Sequence, residues 1–290
     1  MFTTEKNAVI QKTTENGLPY VAIEGVREFD VSKTFDCGQC FRFEPVENTP
    51  YESEFAGVAY GRFISVARDK EDLLIFNCTK EFFEEKLRHF LGLDLDYENI
   101  RRTLTESTDS SYLRAAAESA KGIRILNQNR WETICSFIIS QNNNIPRIMG
   151  IIERLCENFG TKIGDDYAFP TLSQLKGVTA EDLSVLRAGF RNKYIVDAVE
   201  KIASGEVDLG AIYDMPIENA RQELIKIKGV GAKVAECTLL YGFGRVEAFP
   251  VDVWVKRIMA ELYENGLPEC TKNYEGIAQQ YLFHWRRNLK

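Results

Sequence analysis

The sequence predicts an α+β protein: an amino-terminal antiparallel β-sheet domain over residues 1–108, then an all-α body over residues 109–290. Three observations predict it. Up to about residue 79, short runs of β-branched and aromatic residues alternate with polar ones between Gly, Asn and Asp turns. From EFFEEKLRHFLG (81–92) onward the apolar period becomes helical. A chain of 290 residues, 44% hydrophobic and 27% charged, is globular in composition and long enough to bury two ordinary cores.

The strand segments are YVAIEGV (20–26), FDVSKTF (29–35), CFRFEPVE (40–47) and EFAGVAYGRFISVAR (54–68). Strands that follow one another directly favour antiparallel pairing. In the helical part, WETICSFIIS (131–140) is apolar on nearly all sides and reads as a buried helix. Asn144 can cap the next helix, with Pro146 in its first turn and Ile148, Ile151, Ile152 and Leu155 on one face before Gly160. Thr179 and Asp182 resemble a capping box for a helix that Gly189 breaks. NKYIVDAVEKIA (192–203) ends near Gly205, and Pro216 opens ENARQELIKI.

Composition narrows the function. No apolar run approaches the roughly 20 residues that span a bilayer. The start, MFTTEKNAVIQKTTENG, lacks the basic-then-apolar layout of a signal peptide, so an intracellular protein is expected. Seven cysteines scattered over the chain are an odd number and imply reduced thiols. Cys37 and Cys40 form a lone CxxC pair without a second pair at zinc spacing, and no metal site is expected. A net charge of −7 argues against a broad basic field for nucleic acid. Any DNA binding must then use helix-start amides and a few placed Arg and Lys side chains.

Residues 217–241 read IENARQELIKIKGVGAKVAECTLLY, two amphipathic helices joined by Ile227-Lys228-Gly229-Val230-Gly231. The glycines accept unusual dihedrals while Val230 packs inward. A second helix starting near Gly231 directs its first amides outward, where they can hold a phosphate without a basic side chain. An αα-hairpin with a Gly turn and no ligand fits the same residues. Lys233 lies in the first turn of that helix, where the dipole disfavours a cation. The same dipole, with desolvation, favours the uncharged amine that a nucleophile requires. A lysine of ordinary pKa costs roughly 4–5 kcal/mol to hold neutral at pH 7. Further on, Phe249-Pro250-Val251-Asp252-Val253-Trp254 places Asp252 as N-cap of VWVKRIMAELY. As a cap it needs no function; as a carboxylate held ionised by helix amides, it can stabilise positive charge on a sugar ring.

With GVGAKVAEC followed nineteen residues after its lysine by the aspartate of PVDV, the chain resembles the 8-oxoguanine DNA glycosylase/lyases of the helix-hairpin-helix superfamily over nearly its whole length. The resemblance implies that Lys233 attacks the sugar C1′ and forms a Schiff base, with Asp252 as electrostatic and proton-transfer partner. It implies that Gly229, Val230 and Gly231 hold the DNA backbone. In the base pocket, the Gly38 carbonyl would accept the N7 hydrogen of 8-oxoguanine, which guanine lacks. Cys237 would face the base as a thiolate beside the ammonium; a buried small apolar residue is its plain alternative. Gln279 would read the Watson–Crick edge and Phe283 would stack on the base, although their i, i+4 spacing also fits core packing. In QNNNIPR (141–147), Asn142 would fill the vacated stack and Arg147 would read the opposite cytosine, joined by Arg191, with Phe190 as wedge. A polar turn capping a helix is the alternative for Asn142–Asn144.

The resemblance requires no cofactor, allows a monovalent cation at the hairpin carbonyls, and implies a monomer acting on duplex DNA with 8-oxoguanine opposite cytosine. The compartment would be cytoplasm or nucleoid in a bacterium or archaeon, and nucleus in a eukaryote. Three departures stand out: Trp254 replaces a histidine of better-known members, the hairpin reads Ile-Lys-Gly rather than Leu-Pro-Gly, and no carboxy-terminal four-cysteine cluster is present. The rival readings are a glycosylase of the same superfamily for another damaged base, and a non-catalytic DNA-binding protein that uses the hairpin alone.

Overall fold

The computed structural model describes residues 7–289. Residues 1–6, which carry part of the start read as lacking a signal-peptide layout, lie outside the described residues. The chain forms two compact units: one runs through Gly57, Ile64–Asn127 and from Val251 onward, the other comprises Val58–Phe63 and Gln128–Pro250. The boundary expected at 108/109 falls inside the first of these units. Compactness groups the chain differently, because the last helices pack with the early ones.

β1 (Val9–Thr13), β2 (Pro19–Ile23), β3 (Phe43–Pro45), β4 (Ser53–Ala59), β5 (Arg62–Asp69) and β6 (Asp72–Phe76) form one antiparallel sheet in the order β1-β2-β6-β5-β4-β3. Val21 and Val66 both register against Ile75, and all three are fully buried. Tyr60 and Gly61 both take positive φ, the left-handed pair that a tight two-residue turn between β4 and β5 requires. FDVSKTF is not a strand: Val31–Phe35 form a short helix, α1. Asp30 caps it by accepting from the Lys33 amide at 2.9 Å. Its buried residues, Val31, Thr34 and Phe35, recur at i, i+3 and i+4, so the helical period outweighs β-propensity here. CFRFEPVE shrinks to the three residues of β3. The segment 81–92 is helical as expected, as α2 (Lys80–Phe82), a π turn (Phe83–Leu87) and α3 (Arg88–Phe90). α4 (Tyr97–Glu106) and α5 (Ser111–Ser119) follow.

In the second unit, α6 (Arg130–Ser140) buries eight of its residues, as its all-round apolar sequence predicts. Asn144 caps α7 (Ile145–Phe159), whose buried face carries Ile148, Ile151, Ile152 and Leu155 and which ends at Gly160. β7 (Lys162–Ile163) and β8 (Asp166–Tyr167) form a small hairpin before α8 (Leu172–Leu175). Thr179 and Asp182 do exchange capping bonds, but they open only a 3₁₀ turn, Asp182–Leu186. That turn stops at Arg187, with φ 55°, before Gly189 is reached. α9 (Arg191–Ser204) ends on Gly205 at φ 79°. α10 (Ile217–Ile225) and α11 (Ala232–Phe243) make the expected hairpin, and α11 packs along α6.

α12 (Val253–Leu262) and α13 (Glu275–Asn288) complete the first unit, with α13 packed on α5 and on α12. Among the described residues, no helix is long and apolar enough to cross a membrane.

Candidate DNA-contact and catalytic residues

The hairpin is held by sterics and one carboxylate. Gly229 has φ 84°, and a Cβ there would lie 2.2 Å from the Tyr194 ring, so backbone conformation and close approach both demand glycine. Val230 is buried between the glycines. Asp197 accepts from the Lys228 amide at 2.6 Å and pairs with Lys201 at 3.3 Å, tying the loop to α9. Gly231 is the N-cap of α11 in extended conformation, contributes no side-chain cap bond and has open space about it. The first amides of α11 are therefore available to an anion. Among the hairpin carbonyls, that of Lys226 accepts from the Lys201 ammonium and that of Ile227 from the Val230 amide.

Lys233 follows in the first turn of α11, half-buried. Its ammonium lies 5.3 Å from the centroid of the Phe137 ring, which itself stacks on Tyr241. The amine thus lies over an aromatic face. Cys237 is buried one turn later on the same helix. Between them, buried Glu236 binds Arg221 and accepts from the Phe249 amide at 2.6 Å, which anchors the approach to Pro250.

The polar turn after α6 is organised by Arg191. Asn142 is exposed in a left-handed conformation, φ 47°, which Asn tolerates better than most residues. The Arg191 guanidinium donates to the carbonyls of Gln141, Asn142 and Ala188. Burial, then the like charge of Arg147, lowers its pKa. Arg191 also sits 4.5 Å from the centre of the Phe190 ring, which is 51% exposed and meets Tyr194 edge-on. Arg147 is exposed in the first turn of α7. Asn142, Arg147 and Phe190 are exposed, whereas Arg191, expected as a second reader of the opposite base, is buried with its guanidinium on the loop backbone.

In the first unit, Gly38 has φ 81° in the loop leaving α1. Its neighbours are fixed. Gln39, fully buried, donates to the carbonyls of Thr34 and Arg124 and accepts from the Leu126 amide, each at 2.8 Å. Arg124 is held in turn by the carbonyls of Glu28, Arg27 and Gly92 and lies over the Tyr97 ring. The Cys37 carbonyl accepts from Gln280 Nε2 at 3.4 Å, and burial pushes the Cys37 thiol up to about 12. Gln280 belongs to α13, which also carries Gln279 and Phe283. Gln279 is buried, and its Oε1 has no hydrogen-bond partner, which costs free energy unless a ligand completes it. Phe283 lines a cavity of about 210 Å³ together with Ser32, Asp36, Cys37, His284 and Arg287. Asp252 caps α12, accepting from the Val255 amide at 2.8 Å. Val251, Val253 and Trp254 are exposed around it, and Arg257 lies against the Trp254 ring.

Sequence reasoning did not single out Gln39, Gln280, Phe137 or Glu236. Gln39 follows Gly38 directly and Gln280 follows Gln279, so a polar residue beside each candidate was the available signal; Phe137 in an apolar helix carried none.

Comparison with known proteins identifies the family. Residues 22–134 match the 8-oxoguanine DNA glycosylase amino-terminal domain, and residues 135–275 the HhH-GPD superfamily of base excision DNA repair proteins. An N-glycosylase/DNA lyase of Saccharomyces cerevisiae is 33% identical, the match covering 71% of this chain and 60% of that protein. A probable N-glycosylase/DNA lyase of Methanothermobacter thermautotrophicus is also 33% identical, over 70% of this chain and 75% of that protein. The solved structure of Clostridium acetobutylicum 8-oxoguanine glycosylase/lyase, in complex with duplex DNA containing cytosine opposite 8-oxoguanine, superimposes with a TM-score of 0.87 at 34% identity, over 97% of this chain and 98% of that one.

Proposed function

The chain belongs to the 8-oxoguanine DNA glycosylase family within the HhH-GPD base excision repair superfamily, and from that premise we propose that it excises 8-oxoguanine from duplex DNA and then nicks the abasic site, with Lys233 as the nucleophile. The observation that carries the reading is the placement of Lys233: half-buried, in the first turn of the helix that follows the Gly-Val-Gly hairpin, with its amine held on an aromatic face.

The steps follow from the residues. Amides at the start of α11 take a backbone phosphate, which lets a chain of net charge −7 hold DNA. The damaged nucleotide leaves the stack at a cost of a few kcal/mol. Asn142, Arg147 and Phe190 occupy the vacated side, where exposed Arg147 offers its donors to the acceptor edge of cytosine. In the base pocket, the buried Gln279 carbonyl accepts from the Watson–Crick edge and Phe283 stacks on the ring. The Gly38 carbonyl accepts from N7–H of 8-oxoguanine and opposes the N7 lone pair of guanine. Cys237 adds a polarisable contact to the base.

The Lys233 amine then attacks C1′, the base departs with the bonding electrons and takes up a proton, and the Asp252 carboxylate stabilises the cationic sugar. The attached nitrogen gives up a proton and the sugar ring opens, C1′–O4′ breaking as O4′ takes up a proton, which leaves a protonated Schiff base at C1′. This acidifies C2′–H, and loss of that proton forms the C2′–C3′ double bond and expels the 3′ phosphate. No step requires a cation. The enzyme acts inside the cell as a monomer.

Single-turnover assays on a duplex holding 8-oxoguanine opposite cytosine test this. The wild type should release the base and leave a covalent adduct under borohydride, and Lys233→Gln should do neither. Phosphate-dependent DNA binding without any adduct would favour a non-catalytic hairpin protein. Adduct formation on another damaged base but not on 8-oxoguanine would favour the sister specificity. Exchanging the opposite base should slow excision, and Arg147→Ala should flatten that preference.

A further inference from the structure

We infer that Gln39 and Gln280 are positioning residues for base discrimination: the side chain of Gln39 pins the residue after Gly38 to Thr34, Arg124 and Leu126, and Gln280 holds the Cys37 carbonyl before it to the helix that carries Gln279 and Phe283. The inference rests on the proposed role of the Gly38 carbonyl and adds residues that set where it points.

Gly38 sits in a loop at φ 81° with nothing within 4 Å of a would-be Cβ, so its neighbours do not wedge it in place. A carbonyl in such a loop would swing with its two flanking peptides, and a discriminating hydrogen bond tolerates little swing. Gln39 removes that freedom on one side. Its amide nitrogen spans the Thr34 and Arg124 carbonyls, and its oxygen takes the Leu126 amide. Two of these bonds join the Gly38 loop to residues 124–126 and the third joins it to α1, in a site without solvent access. Gln280 removes it on the other side by donating to the Cys37 carbonyl from α13. Gln280 is itself 1% exposed. Gln279, its neighbour in sequence, presents the unpartnered Oε1. The acceptor for N7–H and the acceptor for the Watson–Crick edge are therefore built on one hydrogen-bonded frame. Neither glutamine needs to touch the base.

A purely structural glutamine would affect every activity of the folded enzyme alike, whereas a positioning residue affects only the step that reads the base. Gln280→Met and Gln39→Met keep side-chain length and remove the donors. For each, single-turnover excision from an 8-oxoguanine:cytosine duplex is compared with β-elimination on a preformed abasic duplex, which has no base to read. Folded fraction is checked by thermal melting. Excision should fall about 10- to 100-fold while abasic nicking stays within about twofold of wild type. Parallel loss of both activities, or no loss of either, in folded Gln280→Met overturns the inference. Gln280→Met decides the matter if Gln39→Met does not fold, because it leaves the Gln39 bonds to Thr34, Arg124 and Leu126 in place. Failure of the wild type to excise 8-oxoguanine at all would instead overturn the functional reading on which the inference stands.

Discussion

At Gly229 one residue carries two constraints, a left-handed φ and a ring 2.2 Å from any added Cβ. Gly229→Ala should therefore lower stability by about 1–3 kcal/mol and weaken DNA binding, seen by thermal melting and by duplex titration. Gly231→Ala meets neither constraint and should leave melting within about 1 kcal/mol. His284 offers a titration test. Burial first, then the charge of Lys33, lowers its pKa in the folded chain. The folded state thus disfavours the protonated ring, and the contribution is present above the unfolded pKa of ~6.5 and lost as pH falls through the folded value. Melting temperature should drop less between ~pH 7 and ~pH 5 in His284→Gln than in wild type; equal slopes would contradict the assignment.

Element by element, the helices were the most legible part of the sequence, because caps and periodicity are local. Asn144, Gly205 and the Gly-Val-Gly turn all lie where the chain's own chemistry puts them. Residues 29–35 misled because Val, Thr and Phe favour strands, while the Asp30 cap and the i, i+3, i+4 burial that make α1 become decisive only with a core present. Among the residues put forward for the site, Lys233, Asp252 and Gln279 were readable as motif members. Gln39, Gln280 and Glu236 were not, because their roles come from partners distant in sequence. The loop from Gln141 to Asn144 shows the same dependence. Arg191, fifty residues on, supplies its carbonyls with donors. Arg191→Ala should cost about 1–3 kcal/mol and impair excision, since it strips donors from the part-buried loop carbonyls of Gln141 and Asn142 and from the buried one of Ala188. Arg147→Ala, at an exposed position, should leave melting within about 0.5 kcal/mol.

For the molecule as a whole, the net charge of −7 sets how DNA can be held. Helix-start amides and a few arginines neutralise few phosphates, so the logarithm of affinity should fall with the logarithm of salt at a slope no steeper than about −4. A slope near that of strongly basic DNA-binding proteins would contradict this mode of binding. The central claim is chemical, and mass mapping of the reduced covalent adduct tests it most directly. After borohydride reduction on an 8-oxoguanine:cytosine duplex and proteolysis, the sugar remnant should sit on the peptide containing Lys233, attached at its side-chain nitrogen. A remnant on any other residue, or no remnant while the base is still released, would contradict the account.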